Sequence, residues 1–108
     1  MDRQIEDAMM KLMVTTLNDD LARMARLSLP VDAIQVADVV HRITGSLRIA
    51  RQSRLAQACM HLEAQCRAGI IPGSVLDAMY KNLYQQLENY LLRLRQVSKL
   101  ADVIEEND

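Results

Sequence analysis

The sequence predicts an all-α domain, an antiparallel up-and-down four-helix bundle with an additional N-terminal helical segment. Apolar residues recur at intervals of three and four, and no stretch alternates in the manner of a half-buried strand. Pro30 and the Gly69, Pro72, Gly73 cluster divide the chain into three helical stretches joined by short connections, which pack as antiparallel neighbours. A chain of 108 residues encloses one core, so residues 1–108 are expected to form a single domain.

The first stretch carries Met10, Met13, Val14, Leu17, Leu21, Met24 and Leu27 at helical spacing, as one amphipathic helix or a pair broken near Asn18 and Asp19. Ser28-Leu29-Pro30 turns the chain, with Pro30 expected at the first helical position and Asp32 in the first turn. From Val31 to about Arg51 a stripe of Val36, Val39, Val40, Ile43, Leu47 and Ala50 marks the second major helix. Ser53 starts a third, with Leu55, Ala58, Cys59, Leu62 and Cys66 facing inward and an end before Gly69. After the Pro72-Gly73 turn, Ser74 and Asp77 match a capping box for a long final helix carrying Leu76, Met79, Leu83, Leu87, Leu91 and Leu94. Asp102, Glu105, Glu106, Asn107 and Asp108 have little to bury, and a frayed, solvated end is expected.

Composition excludes several classes of function. With three Tyr, no Phe and no Trp, the chain lacks stacking platforms for single-stranded nucleic acid, and a net charge of −1 argues against general nucleic-acid binding. No apolar stretch approaches the ~20 residues of a membrane crossing. Asp2, Arg3, Glu6 and Asp7 interrupt any signal-peptide pattern, so a cytoplasmic location without direct membrane contact is expected. Cys59 and Cys66 lie seven residues apart on one helix, about 10 Å along its axis, too far to bridge, and are expected as buried free thiols.

One side chain departs from the pattern. At 100° per residue, His41 points about 150° from the mean direction of the second helix's apolar stripe, so it faces outward. On its side lie Ala37 and Asp38 one turn earlier, Thr44 and Gly45 one turn later, and Arg48 two turns later. A glycine inside a helix costs about 1 kcal/mol relative to alanine, yet at Gly45 it leaves room beside the imidazole for a bulky group or a partner's backbone. Between Val39 and Leu62 the chain has Arg42, Arg48, Arg51 and Arg54 and no acidic residue, a local positive field suited to a phosphoryl group or an acidic partner. Ile34 projects toward the same side, and with Ala37 it can begin an apolar docking patch.

His41-Arg42-Ile43-Thr44-Gly45-Ser46, followed by Leu55, Cys59, Leu62 and Glu63, resembles the histidine-containing phosphotransfer (HPt) family of bacterial phosphorelays. In that family the histidine is followed at the fourth place by glycine, at the fifth by Ser or Ala, and further on by a helix ending in a Leu-Glu pair. Two positions depart: Thr44 stands where the family usually has lysine, and Arg51 where it commonly has glycine.

The resemblance implies a phosphorelay intermediate. His41 is the implied phosphoacceptor, supported by Thr44, Gly45 and Arg48, with Ile34, Ala37 and Asp38 in partner docking. Thr44 is assigned a hydrogen bond to a phosphoryl oxygen and Arg48 the positive charge. The implied partners are receiver domains of a hybrid kinase and of a response regulator, exchanging phosphate through aspartates. No cofactor is expected within this domain, because the receiver brings its own Mg²⁺. The chain lacks a glycine-rich nucleotide loop, so no ATP-dependent kinase activity of its own is expected. A monomer in isolation is expected, as the C-terminal module of a hybrid sensor kinase on the cytosolic side of the inner membrane.

Two other readings compete. One is a non-catalytic helical adaptor or dimerisation module, with His41 an ordinary surface residue. The other is a metal site of Cys59, His61 and Cys66, which geometry disfavours because His61 points about 160° from the two cysteines on one helix. The methionines fall at helical spacing and are expected as core filler.

Overall fold

The computed structural model describes residues 3–107 and contains four α-helices, with no strand among the described residues. They are α1 (Arg3–Met24), α2 (Ala33–Ile49), α3 (Ser53–Ala68) and α4 (Gly73–Asn107), arranged as an antiparallel bundle. The N-terminal segment is the leading half of α1, which passes unbroken through Asn18 and Asp19. The core is built from the periodic residues: Leu17, Leu21 and Met24 of α1, Val36, Val40, Ile43 and Leu47 of α2, Cys59 and Leu62 of α3, and Leu83 and Leu87 of α4. Both cysteines are buried free thiols, and burial pushes Cys59 up to about 12.

The helix boundaries follow local chemistry, with two departures from the pattern expected above. Pro30 lies in the turn and not at the first helical position; α2 begins at Ala33, behind Asp32 as N-cap. The Asp32 carboxylate turns back to accept the Ser28 amide at 2.8 Å, closing the loop before the helix starts. Similarly, α4 starts at Gly73, before the expected Ser74 cap, because the Pro72 carbonyl already accepts from Val75 and Leu76. Asp77 is thereby left to pair with Lys81 one turn on, at 2.9 Å. Gly73 packs closely under Pro30: a Cβ there would stand 3.1 Å from the proline ring, which would have to give by a few tenths of an ångström.

The α2–α3 connection is short because α2 ends in a Schellman turn. The Gln52 amide donates to the Leu47 carbonyl at 2.8 Å, with Arg51 at the left-handed position, φ 59°. Thus α2 and α3 fold back about Gln52. In contrast, α1 and α4 run on past that turn. In their antiparallel register Lys11 faces Asp102, an exposed ion pair at 2.8 Å, and Arg95 donates to Asn18. Asp102 is exposed, as expected, while making this pair; Asp108 and the side chains of Glu105, Glu106 and Asn107 lie outside the described part. No helix among the described residues is long and apolar enough to cross a membrane.

Candidate functional site

The α2–α3 hairpin decides what surrounds His41. Folding about Gln52 brings together residues equally far from it in sequence, and His41 and Glu63 each lie eleven positions away. The His41 Nδ1 is 3.1 Å from both carboxylate oxygens of Glu63. The ring itself remains in solvent, its side chain 71% exposed against 17% for Glu63. One turn further along α3, Arg67 donates from Nε to Glu63 at 3.0 Å and from its terminal nitrogen to Asp38 of α2 at 3.0 Å. Asp38, Arg67, Glu63 and His41 form one continuous chain of charge-assisted contacts across the two helices.

This chain sets the ring's chemistry. Partial burial of Glu63 acts to raise its carboxyl, but the hydrogen bonds from Arg67 and His41 outweigh it and hold the group below the ordinary carboxylate range. Asp38 first, and then Glu63, raise Arg67, which keeps its charge. An ionised carboxylate only accepts, so the contact requires a proton on Nδ1, and in the neutral ring that tautomer leaves the Nε2 lone pair pointing away from Glu63.

Of the residues expected to assist, the structure places four on the open face. Gly45 is exposed, and a Cβ built there meets no atom within 4 Å, so nothing in this domain requires a glycine at that position. Asp38 is exposed and tied to Arg67, and Ile34 is 57% exposed two turns before the ring. Arg48 is exposed, with its guanidinium donating to the Met60 sulfur at 3.0 Å. A thioether is a weak acceptor that leaves the guanidinium's charge uncompensated.

Two expectations are corrected. Thr44 is 4% exposed, and its hydroxyl donates to the Val40 carbonyl at 3.0 Å, so it is turned into the α2–α3 interface and not toward a phosphoryl group on His41. Ala37 is fully buried and cannot join a docking patch. Both lie on the flank of α2 that α3 covers, a direction that α2's own periodicity cannot reveal. Arg42 likewise leaves the expected positive patch and approaches the buried Asp20 of α1 at 3.6 Å. Arg67 was missed as a site residue. Its legible signal was the Glu63–Arg67 pair at i,i+4, whose significance depends on knowing which helix faces His41.

His61 is exposed while Cys59 and Cys66 are buried, so the three cannot converge on an ion. No group of three or more His, Cys, Asp or Glu among the described residues is placed to hold a metal.

The family model described as Hpt domain matches residues 8–97. The chain is an Hpt domain. Neither the comparison with curated proteins nor that with solved structures gives a match. As an Hpt domain it takes part in histidine phosphotransfer in two-component phosphorelays, where Hpt domains interact with receiver domains. The matched stretch contains the whole α2–α3 hairpin, and with it His41 on the solvent face of α2. The Hpt match ends ten residues short of the end of α4.

Proposed function

We propose that His41 is the phosphoacceptor of this Hpt domain, taking a phosphoryl group from the aspartate of one receiver domain and passing it to the aspartate of a response regulator. The observation that carries this reading is the contact between His41 Nδ1 and Glu63 on a ring that stays largely in water.

In the forward step the Nε2 lone pair attacks the phosphorus of the aspartyl phosphate. The bond from phosphorus to the carboxyl oxygen breaks, and the aspartate leaves as a free carboxylate. The ring keeps its Nδ1 proton and becomes positively charged as the N–P bond forms. Glu63, held ionised by Arg67, lies where that charge develops and stabilises it. Transfer to the second receiver is the reverse, with a new aspartate carboxylate as nucleophile and the imidazole as leaving group. Receiver-bound Mg²⁺ would neutralise the phosphoryl oxygens, and Arg48 adds a cation at the edge of the face. The open space at Gly45 admits the receiver's active-site loops, and exposed Ile34 supplies an apolar contact beside them. These roles suit an Hpt module of a hybrid sensor kinase as well as a free carrier.

Incubation with a phosphorylated receiver is expected to label the protein with an acid-labile, base-stable phosphate, and His41→Gln is expected to abolish it with the fold retained. Labelling of the variant at the wild-type level would remove His41 from the role and favour the adaptor reading.

A further inference from the structure

The bundle has four helices along only part of its length. At 1.5 Å per residue α4 spans about 52 Å, while α2 and α3 span about 25 Å each. The molecule accordingly measures 55 × 22 × 18 Å. Past the α2–α3 turn, α1 and α4 continue as a two-helix hairpin, with Lys11 paired to Asp102 across it. The side that α2 would cover is an open groove of about 610 Å³, lined by Met9, Met10, Leu12 and Met13 of α1, Ile49 of α2 and Leu94 of α4 among others. Val97 and Ile104 extend the Leu94 stripe at helical spacing and remain 49% and 42% exposed, and Leu12 and Ile49 are 66% and 72% exposed. Two helices cannot bury such a face by themselves, and a contiguous apolar face of this kind on a small domain marks an interface.

Charge selects the occupant. The two helix segments at the far end of the hairpin, residues 3–12 and 97–107, contain five acidic and three basic residues. The segment 39–62, which ends α2, turns and starts α3, has four arginines and no acid. Of these, Arg42 is drawn to Asp20 and Arg48 to Met60 on the His41 face, leaving Arg51 and Arg54 exposed at the turn by the closed end of the groove. A hairpin entering the groove antiparallel to the resident one brings its acidic tip against this basic turn. A second copy of the chain provides that hairpin and also receives one, as a two-fold interface requires. The union of α1 and α4 with their counterparts completes a four-helix arrangement where each chain alone has two.

We infer that the groove beyond the α2–α3 turn is a homodimer interface, in which the α1–α4 hairpins of two copies pack face to face, acidic tip against basic turn. This departs from the monomer that the sequence suggested. His41 does not line the groove and lies about 12 Å along the α2 axis from Ile49, so both phosphoacceptor faces stay open in the dimer.

Sedimentation equilibrium of the full chain tests this. A monomer–dimer equilibrium with Kd in about the micromolar range is expected, consistent with a modest interface. Met9→Glu and Val97→Glu, at positions already about half exposed, are each expected to raise Kd about tenfold or more with unchanged far-UV circular dichroism. Arg51→Glu should weaken the dimer, and raising salt from about 50 to 500 mM should do the same. Val31→Glu, in the α1–α2 loop at the other end, and His41→Gln should dimerise as wild type, which separates this interface from the relay chemistry. A protein that stays monomeric to about 1 mM, or a dimer indifferent to Met9→Glu and Val97→Glu, overturns the inference.

Discussion

Glu63 holds both carboxylate oxygens 3.1 Å from the Nδ1 of His41 and leaves the opposite ring nitrogen free. An exposed imidazole is otherwise free to rotate and to exchange its proton between nitrogens; here one orientation and one tautomer are selected before any partner arrives. The group that makes the selection is itself fixed by Arg67, whose other contact returns to α2 at Asp38.

Replacing Glu63 by Ala removes both the orientation of the ring and the negative charge facing it. Transfer from a receiver is expected to slow by about tenfold to a hundredfold, with a fold that melts cooperatively. Equal single-turnover rates for wild type and variant would show that the contact is catalytically idle. The contact also has a pH signature. Since the folded state depresses the Glu63 pKa, its contribution to stability is complete above the unfolded value near 4.5 and is lost as pH falls through the lower folded value. Urea titrations of wild type and Glu63→Gln should therefore converge on the acid side.

Gly45 meets no atom within 4 Å, so alanine there gains helix propensity without a clash inside the domain. Gly45→Ala is expected to raise stability by about 1 kcal/mol in urea unfolding. Because the added methyl group enters the space beside His41, the same variant is expected to accept phosphate more slowly. A stabilised variant with unaltered transfer would show that a docked receiver does not use this space.

Arg51 adopts φ 59° at the turn after α2, a conformation that costs a non-glycine residue about 1–2 kcal/mol. Arg51→Gly is expected to stabilise the monomeric fold by about 1 kcal/mol, after the extra entropy of glycine in the unfolded chain. Unfolding at a concentration low enough to keep the protein monomeric provides the measurement; no gain would mean that the Arg51 side chain makes compensating contacts.

Asp20 is 1% exposed, its Oδ1 lacks a hydrogen bond, and Arg42 stands 3.6 Å away. Burial raises its carboxyl above the ordinary value, and Arg42 only partly opposes this. The folded state therefore binds the Asp20 proton more tightly than the unfolded state does, and this residue lowers stability as pH rises through its folded pKa. Asp20→Asn is expected to stabilise the protein at pH 7, with the gain shrinking as pH falls toward 3.8. A variant less stable at pH 7 would show that the Arg42 pairing outweighs the desolvation.

The sequence by itself determined the four helices, most of the core and the outward direction of His41, because helical periodicity is a local property and each stripe reports its own helix's buried face. The glycine beside the ring was equally legible. Only the tertiary structure decided which flank of α2 is covered by α3. That packing buries Ala37 and Thr44, although they share His41's side of an isolated helix, and it brings Glu63 and Arg67 to the ring from another helix. It also decided that α1 and α4 outrun their partners, since a stripe predicts that a face must be covered but not by which chain. A helix carries its own angular coordinates in its sequence; the rotation and reach of its neighbours arise from packing between segments, which no single stripe encodes.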